Sequence, residues 1–252
     1  MNVGGLEAAR ELLAGVRQLA VLTGAGMSAE SGVPTFRDAQ TGLWSRFDPM
    51  QLASPEGFRA DPPLVWRWYA WRRELVARAQ PNAGHLALAQ AAARFDGLRI
   101  VTQNVDGLHQ RAGSLDVIEL HGNIVRSRCL AECGLTYDRP EDLPAGEPPR
   151  CPGCGSWLRP DVVWFGEMLD QGALQAAQEA VTGAEVLLVV GTSGLVHPAA
   201  GLPLHARRAG ARVIIVNPQP TEIDSVADVV VTGAAGAVLP ELLAREAAQP
   251  AG

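Results

Sequence analysis

The segment Val21 to Arg37, V-L-T-G-A-G-M-S-A-E-S-G-V-P-T-F-R, limits the fold more than any other part of the sequence. With Leu19 and Ala20, its first residues make an apolar run short enough for a parallel strand buried on both faces. The run stops at Gly24-Ala25-Gly26. Glycines directly after such a strand let the backbone turn tightly and approach a pyrophosphate, and the start of the following helix attracts its charge. Ala29 stands at the third position of G-x-G-x-x-G, where alanine is allowed. Such turns occur throughout α/β proteins, so the loop alone nominates a nucleotide without specifying which.

Beyond the loop the chain departs from the usual dinucleotide pattern. An acidic residue about 20 positions on, at the end of the second strand, ordinarily holds a ribose hydroxyl. Here that region reads Gly42-Leu43-Trp44-Ser45-Arg46-Phe47, which does not resemble a strand end. Instead Ser31 to Arg37 continues as an irregular segment with a glycine, a proline, an aromatic ring and a fixed cation, suited to closing over a ligand.

Four further strands follow from similar runs. Leu98 to Thr102 ends at Gln103-Asn104-Val105-Asp106-Gly107, and Val117 to Leu120 ends at His121-Gly122-Asn123. Glu185 to Val190 ends at Gly191-Thr192-Ser193-Gly194, and Arg212 to Val216 ends at Asn217-Pro218. Ligands of open α/β sheets gather at the carboxyl ends of the strands, so five strand ends converge on one crevice. Helical spacing covers Leu6 to Val16, Leu64 to Ala79 after the Pro62-Pro63 pair, and His85 to Arg94. The prolines at 49, 55, 62 and 63 mark 48–80 as a helical insertion.

The formal charge of -6 and pI near 5.4 argue against a nucleic-acid or membrane-surface partner. With no apolar stretch near the roughly 20 residues of a membrane span, a cytoplasmic, monomeric protein is the expectation.

All four cysteines fall within 26 residues: Cys129-x3-Cys133, 17 residues, then Cys151-Pro152-Gly153-Cys154. Two close pairs supply the thiolate tetrahedron that structural zinc prefers, and in a reducing compartment two disulfides are the weaker reading. Four thiolates leave no open position for water, so the metal would fold the insertion and take no part in chemistry.

Taken together, G-A-G-M-S-A-E-S-G-V-P-T-F-R, T-Q-N-V-D-G-L-H, E-L-H-G around His121, the paired cysteines, V-V-W-F-G-E at 162–167, G-T-S at Gly191 and V-N-P at Val216 resemble the sirtuin family of NAD-dependent protein deacylases. The resemblance runs in order from about Ala20 to Ala235. It implies an α/β fold with a Rossmann-type doubly wound parallel sheet and a smaller domain made of a helical insertion and a four-cysteine zinc module. The large domain would comprise 1–47, 81–124 and 161–252, and the small one 48–80 and 125–160. It also implies NAD, consumed as co-substrate, and one structural zinc on Cys129, Cys133, Cys151 and Cys154.

The resemblance assigns site residues as well. Asn104 and Asp106 match positions that hold the ribose and the nicotinamide carboxamide, Phe36 would shield the reactive carbon, and Arg37 would face phosphate. Gly24, Ala25, Gly26, Ser28, Glu30, Thr35 and Gln103 join them around NAD. Gly191, Thr192, Ser193, Asn217 and Ala235 match positions around the ADP portion, although strand-end packing accounts for them equally well. His121 is the expected base, since an imidazole near pKa 6.5 accepts a ribose-hydroxyl proton at neutral pH. His109 and His85 read as packing and helix-start residues.

Val163, Phe165, Gly166 and Glu167 on one side, and Gly194 to Val196 on the other, match the segments between which an acyl-lysine peptide is laid as an added strand. Tyr69 and Arg72 are three apart and share a helical face, where a phenol and a guanidinium can bind a carboxylate. That pair resembles the class III sirtuins, which remove succinyl, malonyl and related acidic acyl groups, with Ala53 leaving room for the longer chain. The bland alternative makes Arg72 a solvated charge beside Arg73 and Glu74. A mono-ADP-ribosyltransferase sharing the nicotinamide-release step, and a zinc-stapled protein-binding module without activity, are the competing readings.

Overall fold

The structure, a computed structural model, describes residues 3–34 and 46–244. Thr35, Phe36, Arg37 and the Gly42 to Ser45 part of the expected non-strand region lie outside the described residues.

In chain order the elements are α1 Val3–Leu13, β1 Gln18–Thr23, α2 Pro49–Leu52, α3 Pro55–Ala60, α4 Pro62–Arg78, α5 Ala83–Ala91, β2 Gly97–Thr102, α6 Leu108–Arg111 and β3 Val117–Glu119. They continue with β4 Gly122–Cys129, β5 Thr136–Tyr137, β6 Leu158–Val162, α7 Gln171–Thr182, β7 Val186–Val190, α8 Leu202–Arg208, β8 Arg212–Asn217, β9 Val229–Thr232 and α9 Ala235–Leu242. Short 3-10 turns at Ala25–Met27 and Ala29–Ser31 follow β1.

Six strands form one parallel sheet in the order β3-β2-β1-β7-β8-β9. Counted within the sheet, that is the Rossmann order 3-2-1-4-5-6, with its switch point between β1 and β7. The continuous apolar runs are needed because both faces are covered. Leu19 and Val21 of β1, Leu188 of β7 and Ile214 of β8 pack toward α1, α5 and α9. Ala20 and Leu22, Leu187 and Ile215 pack toward α7 and α8. The apolar runs of the sequence mark five of these strands and miss β9, a four-residue edge strand only half buried.

The prolines at 49, 55 and 62 each open a helix. Asp48, Ser54 and Asp61 are N-caps, accepting from Met50 N at 2.7 Å, Gly57 N at 3.0 Å and Leu64 N at 2.9 Å, and each is followed by proline, whose missing N–H costs nothing there. The long helix therefore runs two residues further toward the N-terminus than the expected Leu64 start. Asn82 caps α5 by accepting from Gly84 N, which moves that helix's start ahead of His85. Arg73 anchors α4 to β4: its Nε donates to Ile124 O at 2.6 Å and its Nη2 to Ser127 Oγ at 2.9 Å.

β4, β5 and β6 make a separate antiparallel sheet carrying the cysteine turns. Its apolar face joins α2, α3 and α4 in one cluster around Leu52, Phe58, Trp68, Tyr69, Ile124 and Trp164. Among the described residues no helix is long and apolar enough to cross a membrane.

Candidate active site

The loops after β1 and β7 meet at the switch point. Gly24 N donates to Val190 O at 3.0 Å and Gly26 N to Gly191 O at 2.8 Å. A Cβ on Gly24 would lie 2.8 Å from Gly191 O, one on Gly26 2.7 Å from Gly191 Cα, and Gly191 itself has φ +63°. These glycines are thus required first by the approach of one loop to the other, before any ligand is considered. Thr192 joins three strand ends, accepting from Gln103 Nε2 at 3.0 Å on its hydroxyl and from Asn217 Nδ2 at 2.9 Å on its carbonyl. Ser193 is exposed beside it, whereas Ala235 is buried at the start of α9. Glu30 accepts from Gly236 N, so its carboxylate ties the first loop to the beginning of that helix.

The polar centre lies at the ends of β2 and β3. Ser28 is its hub: its hydroxyl donates to Asp106 Oδ2 at 2.7 Å and accepts from Asn104 Nδ2 at 3.1 Å. Asn104 Nδ2 also donates to Gly24 O at 3.0 Å, which couples the side chain to the glycine loop. Asp106 is 5% exposed, and burial raises its carboxyl pKa against the hydrogen bonds from Leu108 N and Ser28 that favour its charge. His121 Nδ1 lies 2.9 Å from Gln103 O. A carbonyl can only accept, so Nδ1 carries the proton and Nε2 keeps a lone pair. Burial lowers the His121 pKa, which keeps the ring neutral near pH 7. Its own carbonyl accepts from Val163 N at 3.0 Å, joining the imidazole's backbone to the segment after β6.

His109 and His85 do pack inside, and more tightly than the sequence suggests. Their rings are 4.9 Å apart, and His109 Nε2 is 3.0 Å from Thr23 Oγ1. Burial drives their pKa values down to about 3 and about 4.

A second group of residues converges where α4 meets the β6 turn. Tyr69 is 2% exposed, and the Arg72 guanidinium carbon lies 5.8 Å from its ring centre and 4.9 Å from that of Trp68. Arg72 is therefore no solvated helix charge, and it feels the field of Asp106 across the site. Ala53 is buried in the same cluster, and its carbonyl accepts from Phe165 N at 2.9 Å. Phe165, Gly166 and Val196 are exposed. Glu167 differs from these: its carboxylate is held by Arg159 and by Trp164 N, so it shapes the turn from within. Trp164 and Arg159 belong to this wall, and sequence reasoning misses both. The available signal was a buried-type arginine in R-P-D-V-V-W-F-G-E, eight residues before the glutamate it pairs with.

The four sulfurs all lie within 4.8 Å of one another, with Cys129 to Cys154 at 3.4 Å and Cys133 to Cys151 at 3.5 Å. Thiolates about 2.3 Å from a tetrahedral zinc would stand roughly 3.8 Å apart, so the donor set fits the metal, and none of the cysteines forms a disulfide. The wider first spacing is accommodated by Glu132 at φ 53° and Gly134 at φ 88°.

A family model described as the Sir2 family matches residues 24–198. An NAD-dependent protein deacylase 2 of Pyrobaculum aerophilum is 55% identical over 234 residues, covering 92% of each chain. The chain belongs to the Sir2 family. Among solved structures of Sir2 proteins, a Sir2 homolog–NAD complex superposes with TM-score 0.85 at 46% identity over 94% of this chain and 92% of the other. Sir2Af2 bound to a myristoylated histone peptide gives 0.75 at 40% identity over 95% of each. The expected sirtuin resemblance and the Rossmann-type fold with a clustered four-cysteine site therefore hold for this Sir2 protein. Its crevice fits a dinucleotide by chemistry: glycine loops at a switch point that put no side chain between a ligand and the backbone, and a neutral imidazole with a spare lone pair at the neighbouring strand end.

Proposed function

We infer that the protein is an NAD-dependent protein-lysine deacylase whose preferred acyl groups are succinyl and malonyl, with acetyl also accepted. The observation that carries the deacylase reading is the His121 tautomer: Nδ1 is spent on Gln103 O, and Nε2 remains as a base at the crevice. NAD, when bound, supplies a glycosidic bond with nicotinamide as leaving group and a ribose that ends as O-acyl-ADP-ribose.

The chain's own residues have separable tasks in this reading. The Gly24 to Gly26 and Gly191 to Ser193 loops bind the ADP portion, with Asn217 and Ala235 behind them. Asn104, Asp106 and Ser28 orient the ribose and carboxamide through one shared hydroxyl hub, which fixes the reacting groups relative to each other. His121 Nε2 takes the proton from a ribose hydroxyl so that the oxygen can attack the acyl carbon. Phe36 and Arg37, outside the described residues, are assigned the shielding of the reactive carbon and a phosphate contact by the resemblance alone. The peptide lies between Val163 to Glu167 and Gly194 to Val196 and pairs through its backbone. The domain division at 48–80 and 125–160 and a monomeric state are part of the same proposal, as is a cytoplasmic location, which the four free thiols gathered at one metal site support.

The acidic-acyl part rests on Tyr69 and Arg72. Burial raises the Tyr69 pKa, so the phenol stays a hydrogen-bond donor at neutral pH, and it stands beside a permanent cation. A plain acetyl group offers nothing to either. A related Sir2 protein takes a myristoylated peptide, so pocket chemistry and not family membership must decide the acyl class. The test is a side-by-side rate measurement on acetyl and succinyl versions of one peptide, with and without NAD. Faster, NAD-dependent removal of succinyl is expected; equal or slower removal would overturn the acidic preference.

A further inference from the structure

Arg159 places a full charge in the interior, 3% exposed, where a cation is stable only when paired and fully bonded. It donates through both Nη atoms to the two oxygens of Glu167, and Nη2 also reaches Val162 O at 2.8 Å. Glu167 Oε2 in turn accepts from Trp164 N at 2.8 Å. A bidentate fork fixes direction as well as distance, so the turn from Val162 to Glu167 is held as one rigid piece. The guanidinium carbon lies 3.3 Å from the centre of the Trp164 ring, which pins the indole against the fork.

The far edge of that indole meets the acyl wall. Trp164 Nε1 donates to the Tyr69 hydroxyl oxygen at 3.0 Å, linking residues 95 apart in sequence. A phenol O–H is conjugated with its ring and lies in the ring plane in one of two orientations. An N–H arriving on one side leaves the hydroxyl hydrogen only the other. Among the described residues nothing accepts that hydrogen, although Tyr69 is 2% exposed and a buried donor without an acceptor is unfavourable. The carboxylate of a bound acyl chain would supply the acceptor, next to the Arg72 guanidinium.

We propose that Trp164 and Arg159 are positioning residues for acidic-acyl recognition: the indole N–H occupies one side of the Tyr69 oxygen, so the phenol presents its proton to the acyl carboxylate. This rests on the acidic-acyl reading of Tyr69 and Arg72. It makes acyl selectivity depend on the peptide-binding turn itself, because the fork that shapes the turn also aims the phenol.

Steady-state kinetics on succinyl and acetyl forms of one peptide test it with Trp164→Phe, Tyr69→Phe and the double variant, and with Arg159→Lys, which keeps the indole and loses the fork. Trp164→Phe, which also lies in the peptide-binding turn, should raise KM for the succinyl peptide about tenfold more than for the acetyl peptide, with kcat little changed. In the Tyr69→Phe background it should add nothing to that difference. Arg159→Lys, the fallback should Trp164→Phe fold poorly, loosens the peptide-binding turn as well, so it should raise KM for both peptides but more for the succinyl one. Equal losses on both peptides, or a Trp164→Phe effect that multiplies with Tyr69→Phe, would make Trp164 mere packing and overturn the proposal while sparing the acidic-acyl reading. A wild-type enzyme without succinyl preference would overturn both.

Discussion

The two ends of this cleft are built on opposite principles. The crevice at the sheet's switch point is made of backbone, three closely packed glycines and the hydrogen-bonded side chains of Asn104 and Asp106 around Ser28, with His121 held neutral by burial. The acyl wall is made of aromatic rings and permanent cations: Tyr69 and Arg72 of α4, Arg159 of β6, and Trp164 in the turn after it. In the proposed reading the first arrangement serves chemistry shared by every acyl-lysine, and the second would discriminate among acyl groups. Damage to one end should therefore change rate for all substrates, and damage to the other should change selectivity.

Removing the metal should separate the two ends most severely. Structural zinc at a four-thiolate site contributes on the order of 10 kcal/mol of folding free energy. Chelation should strip hydrogen-exchange protection from β4 to β6 while β1, β7 and β8 stay protected; uniform loss of protection would show that the two sheets do not separate. Next in size, His121→Tyr should lower turnover on acetyl and succinyl peptides alike by on the order of 10²–10⁴-fold with circular dichroism unchanged. Retained turnover would remove its role as base.

Arg72→Met should act on the other end only. Stranding a buried carboxylate without its cation should cut kcat/KM for the succinyl peptide by about 100-fold and leave deacetylation nearly intact. Equal losses would place Arg72 in the common machinery.

The smallest effect concerns the buried pair His85 and His109 behind the crevice. Their folded pKa values of about 4 and about 3 lie below the ordinary 6.5, so between those values the unfolded chain binds protons that the folded one does not. Their stabilising neutrality is fully present above pH 6.5 and is lost as pH falls toward 4. The urea midpoint should drop between pH 7 and pH 5, by an amount equivalent to roughly 2–4 kcal/mol at most. A midpoint that does not move would contradict their burial as neutral rings.

Sequence order revealed the crevice better than the wall, for a physical reason. Buried parallel strands announce themselves as apolar runs, and β1, β2, β7 and β8 all sit within a residue or two of their expected bounds. The carboxyl ends of those runs then name Gly24, Asn104, Gly191 and Asn217 without further information. The paired cysteines are equally legible because their spacing is local. The wall depends on contacts between residues far apart: the Trp164 to Tyr69 hydrogen bond and the Arg73 anchor to β4 have no local signature. The roles expected of Glu30 and Glu167 illustrate the same limit, since each carboxylate is engaged by a distant backbone or side-chain donor that spacing does not show. β9 stayed hidden because a half-buried edge strand of V-V-V-T lacks both the length and the flanking signals of its neighbours.

Mass spectrometry of one succinyl-lysine peptide incubated with the enzyme and NAD decides whether the acyl group leaves with ADP-ribose. One free lysine and one nicotinamide per turnover are expected, with the succinyl mass recovered on ADP-ribose. A peptide that keeps its acyl group while ADP-ribose appears on protein, or no nicotinamide release at all, would contradict it.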